Sequence, residues 1–144
     1  MLRGVPSLPQ PDDLTSLILR TDFTDDRAWN ELRQTVGTDG ASYASDPSFA
    51  DVTIQALIDT DTAADPDHQL TYVFLADALT MTDDEHPLLA LDLFDEPGRT
   101  FRVAPRWFLD ISANLGIGNL GFDEFADAAD ESGTYRGSGA SQSD

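Results

Sequence analysis

The chain predicts an α+β fold, and three observations point there. Two short apolar runs, Leu17-Ile18-Leu19 and Val73-Phe74-Leu75, have strand length and no helical spacing. Elsewhere apolar residues recur at helical intervals: Trp29, Leu32 and Val36, then Phe122, Phe125, Ala126 and Ala129. The turn residues Asp95-Glu96-Pro97-Gly98 separate two further strand-like runs, as in an antiparallel hairpin. The expected architecture is one domain, residues 14–137, with a mixed sheet of four to five strands and about three packed helices. With 144 residues the chain can bury an ordinary core without staples.

The elements follow in order. Met1 to Asp13 reads as an irregular lead-in, because Pro6, Pro9 and Pro11 block regular pairing. Leu14 to Thr21 is the first strand, and its continuous apolar centre implies burial on both faces. Asp22 and Thr24 offer caps for a helix from about Asp25 to Val36. Asp25 and Asp26 then meet the positive end of its dipole, and Gly37 ends it. Thr38 to Asp51 reads as a loop. Thr53 can cap a short helix carrying Ile54, Leu57 and Ile58 on one face, before an acidic loop from Asp59 to Gln69. Leu70 to Ala76 is the second strand, Thr80 to Pro87 a polar loop, and Leu88 to Phe94 with Arg99 to Val103 the hairpin. Pro105 to Leu109 reads as one helical turn with proline at its start. Ile111 to Leu120 is ambiguous, since Asn114, Gly116 and Gly118 interrupt it. Phe122 to Asp130 is the last helix. Ser138 to Asp144 has almost no apolar content and reads as a disordered tail.

Charge narrows the function classes. All eight cationic side chains are arginine, set against 22 aspartates and five glutamates, for a formal net charge of -19. So few arginines among so many carboxylates argue against nucleic-acid and anionic-membrane partners. A basic protein partner would be attracted, because a single-sign field speeds encounter with the opposite sign. Solubility alone also accounts for the charge. The missing lysine fits a GC-rich genome, and the excess of Asp over Glu fits a salt-adapted one. With no cysteine there is no disulfide, thiolate nucleophile or Cys-ligated zinc. No stretch approaches the ~20 apolar residues of a membrane span, and the N-terminus lacks a secretory h-region, so a cytoplasmic protein is expected.

Three groups of residues could carry chemistry. Asp22 and Asp77 each follow a strand. If those strands are parallel neighbours, the two carboxylates meet at one sheet edge, where oxygen ligands, with Asp25 and Asp26, could hold Mg²⁺. The structural alternative makes Asp22 a helix cap and Asp77 a turn former. Asp83-Asp84-Glu85-His86 reads as a solvated loop, because zinc usually needs three protein ligands. His86 retains the capacity of a general base. Arg99, Arg102 and Arg106 crowd beside Trp107, a combination suited to interfaces and carboxylate recognition. Ion pairing with surrounding carboxylates is their alternative. Tyr135-Arg136, between Gly133 and Gly137, is either a second docking element or a pin for the tail. Ser112 and Ser132 lack the glycine frame of a nucleophile elbow.

An ordered set of short motifs carries a family resemblance. Leu19-Arg20-Thr21-Asp22-Phe23 with Trp29, Asp92-Leu93, Phe101-Arg102-Val103, Asn114-Leu115 with Asn119 and Phe122, and Gly133-Thr134-Tyr135-Arg136-Gly137 form it. The chain resembles, from about Leu8 to Gly137, an uncharacterised family of small acidic proteins common in actinobacteria, a domain of unknown function. The resemblance implies a shared single-domain fold and a bacterial host, and implies no activity.

The expected function is therefore a non-catalytic, acidic protein-interaction module (an adaptor, an antagonist or an immunity-type protein) that needs no cofactor. It would use an acidic face together with the Arg-Trp edge. The alternative is a metal-assisted hydrolase or phosphoryl-transfer enzyme built on Asp22 and Asp77.

Overall fold

The computed structural model describes residues 15–37, 40–65, 69–94, 96–116, 122–129 and 133–135. The expected lead-in and tail, together with Arg136 and His68, lie outside the described residues. Strand β1 (Ser16–Arg20) is buried at all five positions, as its unbroken apolar centre requires. Both of its neighbours run parallel to it: β2 (Ala41–Ala44) and β3 (Tyr72–Ala76). Strand β4 (Leu88–Asp92) is antiparallel to β3, and β5 (Thr100–Val103) is antiparallel to β4. Strand β6 (Thr134–Tyr135) adds a short parallel edge on β5, giving the order β2-β1-β3-β4-β5-β6.

Helices cover both faces. Helix α1 (Asp26–Val36) begins at its N-cap Asp25, whose side chain accepts from the Ala28 N–H, and ends at Gly37 with φ of 79°. That left-handed value suits glycine, which has no Cβ to clash. Helix α2 (Ile54–Ala63) is capped by Thr53. Helices α3 (Ala78–Thr82), α4 (Phe108–Gly116) and α5 (Phe122–Asp127) follow. Because strand side chains alternate, β1 sends Ile18 to one core and Leu17 and Leu19 to the other. The larger core packs Ile18, Phe74 and Phe101 against Trp29 and Leu32 of α1, Phe108 and Ile111 of α4, and Phe122 and Phe125 of α5. The smaller joins Leu17, Leu19, Val73 and Leu91 to Phe49 and to Leu57 of α2. Each such burial contributes about 1.5–3 kcal/mol.

Among the described residues the sheet has six strands and the fold five helices, against the four to five strands and about three helices expected. The differences are local. Strand β2 lies in the segment expected to be a loop. It is four residues long and held by pairing with β1 and by Tyr43, whose ring meets Trp29 edge-on at 5.8 Å. Strand β6 has two residues and exists because Gly133, at φ 84°, turns its carbonyl to accept from the Arg102 N–H at 2.7 Å. Helix α3 occupies part of the expected polar loop. Helix α2 continues to Ala63, past the point where the acidic loop was expected, with Gln55 bonding Asp59 one turn along. The ambiguous stretch resolves into helix α4, which runs to Gly116.

A chain of hydroxyls fastens the cores. Ser16 Oγ lies 2.8 Å from the Tyr72 hydroxyl and 2.7 Å from Ser112 Oγ, which donates to the Gly40 carbonyl at 3.2 Å. Burial pushes the Tyr72 phenol above its ordinary value, which keeps it a neutral partner. Ser112 thus serves as a link between α4 and β1.

Candidate functional site

Strand β1 ends in a knot of polar groups. Arg20 is 4% exposed. Its Nε donates to the Asp22 carbonyl at 2.8 Å and its Nη2 to Asp26 at 2.8 Å. The guanidinium carbon lies 4.5 Å from the Phe23 ring centre and 5.4 Å from that of Trp29. A planar cation between aromatic faces is held by stacking as well as by charge. Asp22 accepts from the Thr24 N–H and hydroxyl, forming a local turn. The cap of α1 is Asp25, so the expectation that Asp22 caps it is corrected. The turn sets the chain direction two residues earlier, and only Asp25 then faces the first free N–H groups.

The strands that precede Asp22 and Asp77 are parallel neighbours, with Arg20 opposite Ala76 in register. The two carboxylates nevertheless have separate partners. Asp77 caps α3 through a reciprocal box with Thr80, each side chain accepting from the other's backbone N–H. Both oxygens of Asp77 also receive Arg102, at 2.8 and 2.9 Å. Burial pushes the Asp77 carboxyl up. The Arg102 fork and the Thr80 donors together outweigh that and hold it below the usual carboxylate range. The Thr80 hydroxyl donates to the Pro87 carbonyl at 2.6 Å, so β3, α3, β4 and β5 meet at one fully partnered junction. Among the described residues, no group of three or more His, Cys, Asp or Glu is placed to hold a metal ion.

Beside this junction α1 and α3 frame an open cleft of about 450 Å³. Asp25, Arg27, Ala28 and Glu31 of α1 and its cap form one wall; Met81, Thr82, Asp83, Asp84 and His86 form the other. Four carboxylates therefore face one arginine and one imidazole. Arg27 reaches Glu31 at 3.2 Å, and His86 Nε2 reaches the other Glu31 oxygen at 3.3 Å. His86 has a left-handed φ of 50° and places Nδ1 2.9 Å from the Thr80 carbonyl. A smaller hollow of about 170 Å³ is lined by Thr35, Glu85, Ala104, Pro105 and Arg106.

The arginine-rich run does not form one surface. Arg99 is tied to Glu96 and Asp127, which raise its pKa further. Arg102 is committed to Asp77. Arg106 is exposed, with its guanidinium 5.9 Å from the Trp107 ring centre, and it edges the small hollow. Trp107 packs against the larger core, and among the described residues its buried indole N–H has no hydrogen-bond partner. Tyr135 is 2% exposed, edge-on to Phe125 at 5.1 Å and near Phe101 at 6.5 Å. Its ring is therefore a core group. The lone phenol-arginine pair between glycines gives no hint of that without the partners that bury it.

The model of a domain of unknown function, DUF6924, matches residues 15–138. The chain belongs to this family. No curated protein matches it. Within this DUF6924 chain, several motifs that carried the resemblance have structural places. Arg20, Phe23 and Trp29 make the stacked knot. Phe101 meets Phe122 at 4.9 Å, and Gly133 opens β6. Asp92, 2% exposed, accepts the Phe94 and Glu96 N–H groups and so folds the β4–β5 turn. The cleft draws on none of these. Its signal in the sequence was the Asp83–His86 run, which could be found but not placed without α1. Among the described residues no helix is long and apolar enough to cross a membrane.

Proposed function

We propose that this protein is a non-catalytic interaction module that takes a basic segment of a protein partner into the α1–α3 cleft. One observation carries the reading: four carboxylates line an open cleft on a chain of net charge -19, against one arginine already paired within it. Such a cleft attracts and orients cations of the opposite sign. The hollow at Ala104 and Pro105 lies close by through Glu85 and has the size for one apolar side chain, with Arg106 at its rim. A partner segment with an apolar residue beside basic ones matches both features. An adaptor, antagonist or immunity-type role, in the cytoplasm, is consistent with this chemistry. The ion pairs of Arg20, Arg27, Arg99 and Arg102 leave little free cationic surface for a nucleic-acid backbone.

A metal-assisted enzyme on Asp22 and Asp77 would have to displace Arg102 from both oxygens of Asp77. The deciding experiment is calorimetric titration with a short peptide of arginine, lysine and one leucine. Saturable binding that weakens with salt is expected. Neutralising Asp83 and Asp84 to Asn should weaken it by about two- to thirtyfold, since each exposed pair contributes about 0.2–1 kcal/mol. An equal loss on neutralising Asp59 and Asp123, which lie on other helices, would make the attraction non-specific and overturn the reading. A saturable Mg²⁺ or Mn²⁺ isotherm abolished by Asp22→Asn would replace it with the enzyme.

A further inference from the structure

His86 presents an incomplete hydrogen-bond count that proton uptake would complete. Its Nδ1 faces the Thr80 carbonyl at 2.9 Å and its Nε2 faces a Glu31 carboxylate oxygen at 3.3 Å. Both partners only accept. Neutral imidazole carries one N–H, so either tautomer leaves a ring lone pair against an acceptor oxygen. Imidazolium carries two N–H groups and satisfies both. The ring bridges two elements, because Thr80 belongs to α3 and Glu31 to α1. The side chain is 14% exposed, and the Glu31 carboxylate it meets is half-exposed at the mouth of the cleft. The turn that presents it is closed by the His86 N–H donating to the Asp83 carbonyl at 2.9 Å, with a left-handed backbone at His86. Non-glycine residues rarely hold that conformation without surrounding support.

We propose that His86 is a proton-operated tie between α1 and α3. One proton from solvent onto the second ring nitrogen converts a single bridge into a double one, drawing Glu31 toward α3. The charged groups that line the cleft with the ring are Asp25, Arg27 and Glu31 from α1 and its cap, and Asp83 and Asp84 from the turn after α3. Carboxylates outnumber the cation there. A consequence for the cleft rests on the binding role proposed above. Protonation adds a positive charge and occupies Glu31, so a cationic partner would be held more weakly as pH falls, and by reciprocity the partner would expel the proton.

The test compares ligand-free thermal midpoints of wild type, His86→Asn and Glu31→Gln between about pH 5.5 and 8. Asn tolerates left-handed backbone, so the substitution removes the titrating ring with little backbone strain. Subtracting variant from wild type also cancels any contribution of His68, the only other histidine. The wild-type advantage over His86→Asn should grow by about 2–4 °C as pH falls across the window. Glu31→Gln, an exposed change that leaves the imidazole in place, should abolish most of that growth. An advantage constant with pH in both comparisons would overturn the tie. A second arm titrates the same basic peptide at both ends of the window. Wild-type affinity should fall about three- to tenfold toward low pH and His86→Asn affinity should not. Absence of peptide binding at either pH would sink the cleft reading alone, while the midpoints still decide the tie.

Discussion

At the scale of single residues, the molecule uses its few arginines as internal fasteners. Arg102 and Asp77 show what this costs and returns. Burial disfavours the charged carboxylate, and the bidentate fork reverses the balance, so Asp77 sits below its ordinary pKa. A folded-state value below the unfolded one has a definite sign. The contribution is complete above the unfolded value of about 3.9 and is lost as pH falls through the lower, folded one. Arg102→Met removes the larger lowering cause and leaves the burial and the Thr80 donors. It should cost about 2–3 kcal/mol at neutral pH and move acid unfolding to higher pH, as followed by circular dichroism. An unchanged acid midpoint would show that the pair contributes nothing. Asp61 carries the opposite sign: burial raises its carboxyl despite the Leu70 N–H donated at 2.7 Å. Protonation there favours the folded chain, so its share of stability increases as pH falls through the raised value.

At the scale of elements, legibility followed length and periodicity. Helix α1 could be read residue by residue, because three apolar positions on one stripe and a terminal glycine leave few alternatives; Trp29, Leu32 and Val36 are all buried. The hairpin of β4 and β5 was legible from its turn. The elements missed were short and owe their form to partners distant in sequence. Strand β2 depends on β1, and β6 on Gly133 and β5. A local cue did exist for α3: Asp77 followed three residues later by Thr80 is a capping box, hidden inside a run dominated by polar residues. The site was half legible. The Asp83–His86 run stood out, but its opposing wall on α1 is more than fifty residues away and no local pattern joins them. For the same reason Tyr135 stayed open between a docking element and a pin for the tail. Its burial between Phe101 and Phe125 predicts that Tyr135→Ala costs about 3–4 kcal/mol in urea denaturation, the usual cost of emptying an aromatic core position. Arg106→Ala, exposed at the hollow, should stay within about 0.5 kcal/mol. A small loss at Tyr135 would mean that β6 is not needed to close the larger core.

At the scale of the whole molecule, charge and topology act together. A net charge of -19 on a chain whose described arginines are mostly paired leaves an excess of carboxylates, which repels other copies of the chain. The sheet order adds a consequence in time. Strands β3, β4 and β5 follow one another antiparallel, joined by residues 77–87, which include α3, and by residues 93–99. Strand β1 instead lies parallel to both neighbours, and its pairing with β3 joins residues 18–20 to 74–76. Parallel pairing cannot be made by a hairpin, and a longer loop must lose its freedom before the contact rewards it. The antiparallel strands are therefore expected to assemble first and β1 to dock afterwards, completing the seam at the middle of the sheet late in folding. Pulsed hydrogen exchange would then protect the amides of Val73, Leu91 and Phe101 before those of Ile18 and Leu19; the reverse order would refute this sequence of events. Until β1 arrives, the apolar strand Tyr72–Ala76 has one edge unpaired, the kind of edge on which partly folded chains add to one another. Mutual repulsion between highly charged copies acts during that interval as well as in the native state, so the carboxylates protect the nascent sheet while it is still open.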